Sequence, residues 1–131
     1  MIFVDTSAWY ALSSTRDVNH QDAIRTLSSL RERLVTSDYV VDETLTLLKS
    51  RGEKLHALKF GAKVIDGAFA QIITVDTHDF NSAWGVFKRY NDKGWSFTDC
   101  TSFVVMQQLG IQRAFAFDDH FKQFGTVTVV P

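Results

Sequence analysis

A chain of 131 residues that is 45% hydrophobic, with eleven Phe, three Trp and a single Pro, can build one sizeable core and is no disordered polymer. A net charge of −1 excludes a globally basic surface, so a nucleic acid must meet a local patch or an assembled oligomer. One Cys cannot close an internal disulfide, no stretch reaches the roughly 18 apolar residues of a membrane span, and the N-terminus lacks a signal peptide's basic and long apolar regions, so a cytoplasmic protein of one domain, residues 1–131, is expected.

"IFV" (2–4) reads as a buried strand, and Asp5 or Thr6 can cap a short helix from Ser7 to Leu12. "DVNHQDAIRTLSSLRERL" (17–34) reads as a helix, with Ala23, Leu27, Leu30 and Leu34 recurring at three- and four-residue steps. "VTS" (35–37) is a strand. "YVVDETLTLLKSRG" (39–52) is a helix with Val41, Leu45 and Leu48 on one face, closed by Gly52. "EKLHALKFGAKVIDGAF" (53–69) continues as helix, and "QIITV" (71–75) is a strand. Residues 77–94 form a helix with Phe80, Ala83, Trp84 and Phe87 inward. "FTDCTSFVVMQQLG" (97–110) is apolar on most sides at its centre, which places it deep in the core. "RAFAF" (113–117) is a strand, "DDHFKQFG" (118–125) a turn or short helix, and "TVTVV" (126–130) the last strand. Short apolar strands alternating with helices predict a mainly parallel sheet covered on both faces, a three-layer α/β/α sandwich.

Ligands of open parallel sheets bind beyond the carboxyl ends of the strands. Asp5, Asp76 and Asp118 follow strands, Asp99 opens the buried helix, and Glu43 lies near the start of the 39–52 helix. Carboxylates gathered on one rim repel: two unit charges about 4 Å apart cost roughly 4 kcal/mol at an effective dielectric of about 20. Such a group raises its own pKa values or calls for a cation, and oxygen-only ligands suit Mg²⁺ or Mn²⁺. The chemistry that fits is metal-assisted hydrolysis of a phosphodiester. Each acid also has a structural reading. Asp5-Thr6-Ser7 can be a helix cap, and "SFTD" (96–99) has the form of a capping box. Asp118 fits an ordinary turn, and "DTHD" (76–79) reads as an N-cap before its helix. Glu43 borders the apolar face of its helix, about 40° from Leu47 on a 100° step, whereas Asp42 lies on the polar side with Lys49.

Four segments taken together carry a family likeness: "FVDTSAW", "VVDETLTLL", "SFTDCTSFVVMQQLG" and "AFAFDDHFKQFG". They span residues 2–125, and on them the chain resembles the PIN-domain ribonucleases, in particular the VapC-type toxins of toxin–antitoxin pairs. The resemblance implies a PIN-like sandwich and an Mg²⁺- or Mn²⁺-dependent endoribonuclease. It implies an acidic set of Asp5, Glu43, Asp99 and Asp118, with Asp5 and Asp99 as the primary metal ligands. It also implies a homodimer and a small antitoxin that plugs the site. The family's D-x-x-F register selects Asp118, with neighbouring Asp119 as second choice. Ser7 is a candidate to hold the carboxylates or a metal-bound water.

Lys88, Arg89 and Lys93 in "FKRYNDKGW" (87–95) are candidates for phosphate contacts with Trp95 stacking on a base; the other reading is a solvated helix face with Trp95 in the core. His120 reads as an exposed turn residue beside Asp118. The four His residues form no H-x₃₋₅-H pair, which speaks against zinc, and no glycine-rich phosphate loop occurs. Cys100 reads as a small core residue. Two rivals remain: a non-catalytic RNA- or protein-binding module on the same fold, from which one acid would be missing, and a haloacid-dehalogenase-type phosphatase, which would have an Asp where Ser7 stands.

Overall fold

In the computed structural model, which describes residues 1–131, strands and helices alternate as the sequence predicts. β1 (Ile2–Val4) leads to α1 (Thr6–Ser13) and α2 (His20–Ser29), and β2 (Leu34–Ser37) to α3 (Asp38–Ser50) and α4 (Lys54–Val64). β3 (Gln71–Ile73) precedes α5 (Thr77–Arg89) and α6 (Phe97–Leu109); β4 (Arg113–Phe115), α7 (His120–Gln123) and β5 (Thr128–Val130) complete the chain. Every neighbouring pair is parallel, in the order β3-β2-β1-β4-β5. Right-handed crossovers lay α1–α4 on one face while the chain steps outward from β1 to β3, and α5–α7 on the other once it returns to β4. Ile2, Phe3 and Val4 are each fully buried although successive strand residues point to opposite faces, so both faces of the centre are covered. This is the expected three-layer sandwich.

Most elements are shorter than the patterns predict, while α1 and β2 are each longer. The second helix starts at His20 and ends at Ser29, because residues 17–19 form a turn in which Asp17 accepts from the Asn19 N–H, and Leu34 belongs to β2. The fourth helix stops at Val64, ahead of Gly67 in the left-handed region at φ +79°.

The largest departure is α5. Of the four residues predicted inward, only Ala83 is buried; Phe80, Trp84 and Phe87 are 45%, 49% and 40% exposed. The packed stripe runs one position earlier, through Asp79, Ala83, Val86 and Tyr90. One residue is 100° of rotation, which turns the aromatic stripe outward. α6 behaves as predicted: Cys100, Thr101, Ser102, Val104, Val105 and Met106 are all buried.

Candidate active site

The strand order reverses between β1 and β4, and in such sheets the crevice beyond that point is the ligand site. The chain joins the two strand ends there. The Asp5 N–H donates to the Phe115 carbonyl at 3.0 Å, and the Phe117 N–H donates to Ser7 Oγ at 2.9 Å. Ser7 in turn gives both its hydroxyl (2.7 Å) and its backbone N–H (3.1 Å) to Asp5 Oδ2. Asp5 is therefore the N-cap of α1, and it is also 3% exposed at the mouth of the crevice. Its two roles fall on one carboxylate because both bonds from Ser7 use Oδ2.

Asp99 repeats the arrangement on α6. Ser96 and Asp99 form a reciprocal capping box, with 3.0 Å bonds from Asp99 N–H to Ser96 Oγ and from Ser96 N–H to Asp99 Oδ2. The same Oδ2 lies 2.7 Å from His120 Nδ1, which also stands 3.2 Å from Asp118 Oδ1. A ring nitrogen this close to a carboxylate oxygen carries the proton, so Nδ1–H points between two acids. The His120 backbone N–H donates to Asp118 Oδ1 at 2.9 Å.

The acids act on one another. Burial pushes the Asp5 carboxyl up to about 7, with the Asp99 charge adding and the Ser7 hydroxyl opposing. Glu43 is raised chiefly by burial; the Thr6 hydroxyl opposes, and the charges of Asp99, Asp118 and Asp42 add. Thr6 Oγ1 is buried and has no hydrogen-bond partner of good geometry. Four acids predicted from separate motifs thus meet at one rim.

Of the paired alternatives, Asp118 faces the cluster while the Asp119 side chain is 83% exposed and 3.7 Å from Lys122. Asp42 is exposed on α3, and Glu43 is half-buried. Lys88, Arg89 and Lys93 are exposed, as phosphate contacts require. Trp95 corrects the prediction. It is 6% exposed, edge-on to Phe124 with centroids 5.0 Å apart, and its Nε1–H donates to Gln123 Oε1 at 2.8 Å, so no base reaches it. His120 is a second correction: its side chain is 27% exposed and serves the acids, a role that adjacency to Asp118 hinted at and its bond to Asp99 decides. Asp76, His78 and Asp79 bring ligand atoms within 4.8 Å of one another, yet both carboxylates are engaged in the α5 capping box, which matches the N-cap reading of "DTHD". Cys100 is buried, with its thiol pushed up to about 11 by that burial.

With this geometry in view, likeness to known proteins has a physical anchor. The PIN domain model matches residues 2–127. The chain belongs to the PIN-domain family. Within it the chain groups with VapC ribonucleases, as its four motifs imply. It is 38% identical over 132 residues to a Mycobacterium tuberculosis protein named 23S rRNA-specific endonuclease VapC20, covering 100% of this chain and 99% of that one. The crystal structure of VapC20, described as a sarcin–ricin loop cleaving toxin, superposes with a TM-score of 0.93 at 37% identity over 100% of both chains. A VapC ribonuclease of Archaeoglobus fulgidus is 34% identical over 123 residues, 90% of this chain and 77% of that one. A toxin–antitoxin complex from Klebsiella pneumoniae shares the fold at a TM-score of 0.68 and 14% identity, covering 100% of this chain and 97% of that one. No helix is long and apolar enough to cross a membrane.

Proposed function

We propose that the chain is a divalent-metal-dependent endoribonuclease, the toxin of a toxin–antitoxin pair, with residues 1–131 acting as one nuclease domain. The observation that carries this reading is the convergence of the acids beyond β1 and β4, where Asp99 and Asp118 share His120, Asp5 is buried beside the Phe115 and Phe117 backbone, and the charges of Asp99 and Asp118 act on Glu43. Side chains that only capped helices would have no reason to converge there at such cost.

The residues fit a divalent cation. The donors are carboxylate oxygens, which suit Mg²⁺ or Mn²⁺. A buried carboxyl raised to about 7 beside a second acid is the kind of group that a cation relieves. Asp5 and Asp99 would hold the ion, with Glu43 and Asp118 completing the site directly or through water. Bound there, it supplies charge neutralisation at the phosphate and a more acidic water. Ser7 fixes the rotamer of Asp5 and ties it to the Phe117 backbone. His120 holds a proton at Nδ1 against Asp99 and Asp118, keeping both acids turned to the rim. Lys88, Arg89 and Lys93 meet the phosphates of the incoming strand.

Full-length identity to VapC20 supports the sarcin–ricin loop of 23S rRNA as the substrate to test first. VapC-type membership supports a small antitoxin partner and a homodimer. The test incubates purified protein with an RNA carrying that loop. Discrete cleavage with Mg²⁺ or Mn²⁺ that EDTA abolishes is expected. Intact RNA with both metals would overturn the nuclease reading, and cleavage undiminished by EDTA would overturn the metal.

A further inference from the structure

We propose that Thr6 is a positioning residue of the acid cluster, its hydroxyl being the donor that turns the Glu43 carboxylate toward the rim when the site is occupied. The proposal rests on the nuclease reading for the reaction it serves. Thr6 opens α1 directly behind Asp5; it is 6% exposed, and its Oγ1 is enclosed without a partner of good geometry. The other buried threonines are all paired. Thr36 Oγ1 accepts from Trp9 Nε1 at 3.2 Å and donates to the Val4 carbonyl at 3.0 Å, Thr44 donates to the Val40 carbonyl at 2.8 Å, and Thr101 to the Thr98 carbonyl at 2.6 Å. Thr44 and Thr101 bond back to carbonyls four and three residues earlier, an outlet open only to a residue with a helical turn before it. Thr6 has no such turn, because Ile2 and Phe3 lie in β1. A hydroxyl kept unpaired in the interior is costly and calls for a reason.

The acceptor it lacks stands on the neighbouring helix. α1 packs against α3, which carries Glu43 half-buried. Among the four acids Glu43 alone has no hydrogen bond that fixes its carboxylate. Asp5 is held by Ser7, Asp99 by the Ser96 N–H and His120, and Asp118 by the His120 N–H. Ser7 cannot serve Glu43 as well, since its hydroxyl is spent on Asp5 and accepts from the Phe117 N–H. Burial raises the Glu43 carboxyl, and the Thr6 hydroxyl is near enough to pull it back down. A donor and an acceptor without a closed bond therefore face one another. Hydrogen bonds of catalytic groups are often long in an empty site and tighten once it fills. Neighbouring residues of "DTS" thus serve different acids, Ser7 holding Asp5 and Thr6 holding Glu43.

The test begins with Thr6→Val, which keeps the shape and removes the hydroxyl. Because the bond is not closed in the empty fold, the variant should melt at or above the wild-type temperature in EDTA. With Mn²⁺ and the sarcin–ricin loop RNA its kcat should fall by about tenfold to a hundredfold with KM little changed, the scale of a misplaced catalytic group. Thr6→Ser, which keeps the hydroxyl, should recover most of that loss. Glu43→Ala and the double variant complete a cycle: without Glu43, Thr6→Val should cost less than about twofold, since the hydroxyl has nothing left to position. The same cycle is read on Mn²⁺ affinity by calorimetry without RNA, where Thr6→Val should weaken binding by about tenfold in the wild-type background and leave it unchanged in Glu43→Ala. Equal costs in both backgrounds would assign the hydroxyl to another partner and overturn the proposal. So would a Thr6→Val variant that cleaves RNA and binds Mn²⁺ as wild type does, or a Thr6→Ser variant as impaired as Thr6→Val. Wild type that binds Mn²⁺ and obeys the cycle yet cleaves no RNA would sink the nuclease reading and leave the role of Thr6 standing.

Discussion

The Asp5 carboxylate is asked both to cap a helix and to sit among acids, and the cost of the second task is readable as a pH dependence. Its carboxyl lies near 7 in the fold against an ordinary value of 3.8. Between about pH 4 and pH 7 the metal-free fold keeps a proton that the unfolded chain has released. Stability should therefore fall as pH rises through that window, by at most about 4 kcal/mol, and level off above it. Urea titrations without metal check this, and a flat profile from pH 4 to 7 would contradict it. Asp5→Asn removes the charge and keeps the cap, since Asn caps about as well as Asp. The variant should lose cleavage by orders of magnitude, melt at or above the wild-type temperature in EDTA, and show a shallower slope between pH 4 and 7, with Glu43, also raised, supplying what remains. Glu53 behaves in the opposite sense. The Tyr10 and Ser14 hydroxyls, each 2.7 Å away, hold it at about 2, with His56 and Arg16 adding. Its contribution is complete above its ordinary value of 4.5 and is lost as pH falls toward 2, so Glu53→Gln should lower the melting temperature at neutral pH and flatten the acid limb. Nothing in the sequence flags Glu53, because its partners lie about 40 positions upstream in α1 and just beyond it.

At the scale of elements, the segments that were legible were those whose local chemistry and burial agree. "SFTD" announces a capping box, and the structure contains both of its bonds. Removing one, by Ser96→Ala, should cost about 1 kcal/mol and lower the melting temperature by about 4 °C. Activity should fall further than stability, because the Asp99 turn loses its anchor; calorimetry beside a cleavage assay separates the two effects. The strand ends carrying Asp5 and Asp118 were legible for a similar reason, since a parallel sheet exposes its carboxyl edge wherever the chain reverses order. α5 was not legible. Its aromatics have helical spacing, and a periodic pattern does not say whether a stripe meets the core or the surface. Asp79, Ala83, Val86 and Tyr90 form the competing stripe, and a charged first member hides it from a hydrophobicity count. His120 was missed because its decisive partner, Asp99, lies 21 residues away.

A whole molecule of net charge −1 has little long-range attraction for RNA, so its affinity must come from few contacts, and salt dependence counts them. Lys88, Arg89 and Lys93 offer three exposed cations per chain. For a single-stranded ligand each phosphate neutralised contributes about −0.7 to the slope of log K against log salt, so one chain gives about −2. Two chains gripping one strand give about −4. The expected homodimer therefore predicts the steeper slope, together with a solution mass twice 14.9 kDa at micromolar concentration. Lys88→Ala then removes one contact from each copy, and the slope should fall by about 1.4 in the dimer against about 0.7 in a monomer. Light scattering and filter binding in a salt series measure both quantities on the same preparation. A mass of 14.9 kDa with a slope near −2 would withdraw the dimer and leave a single chain to hold its substrate through three cations. A dimer with a slope near −2 would mean that the two sites bind separate strands, which a stoichiometry of one RNA per chain would confirm.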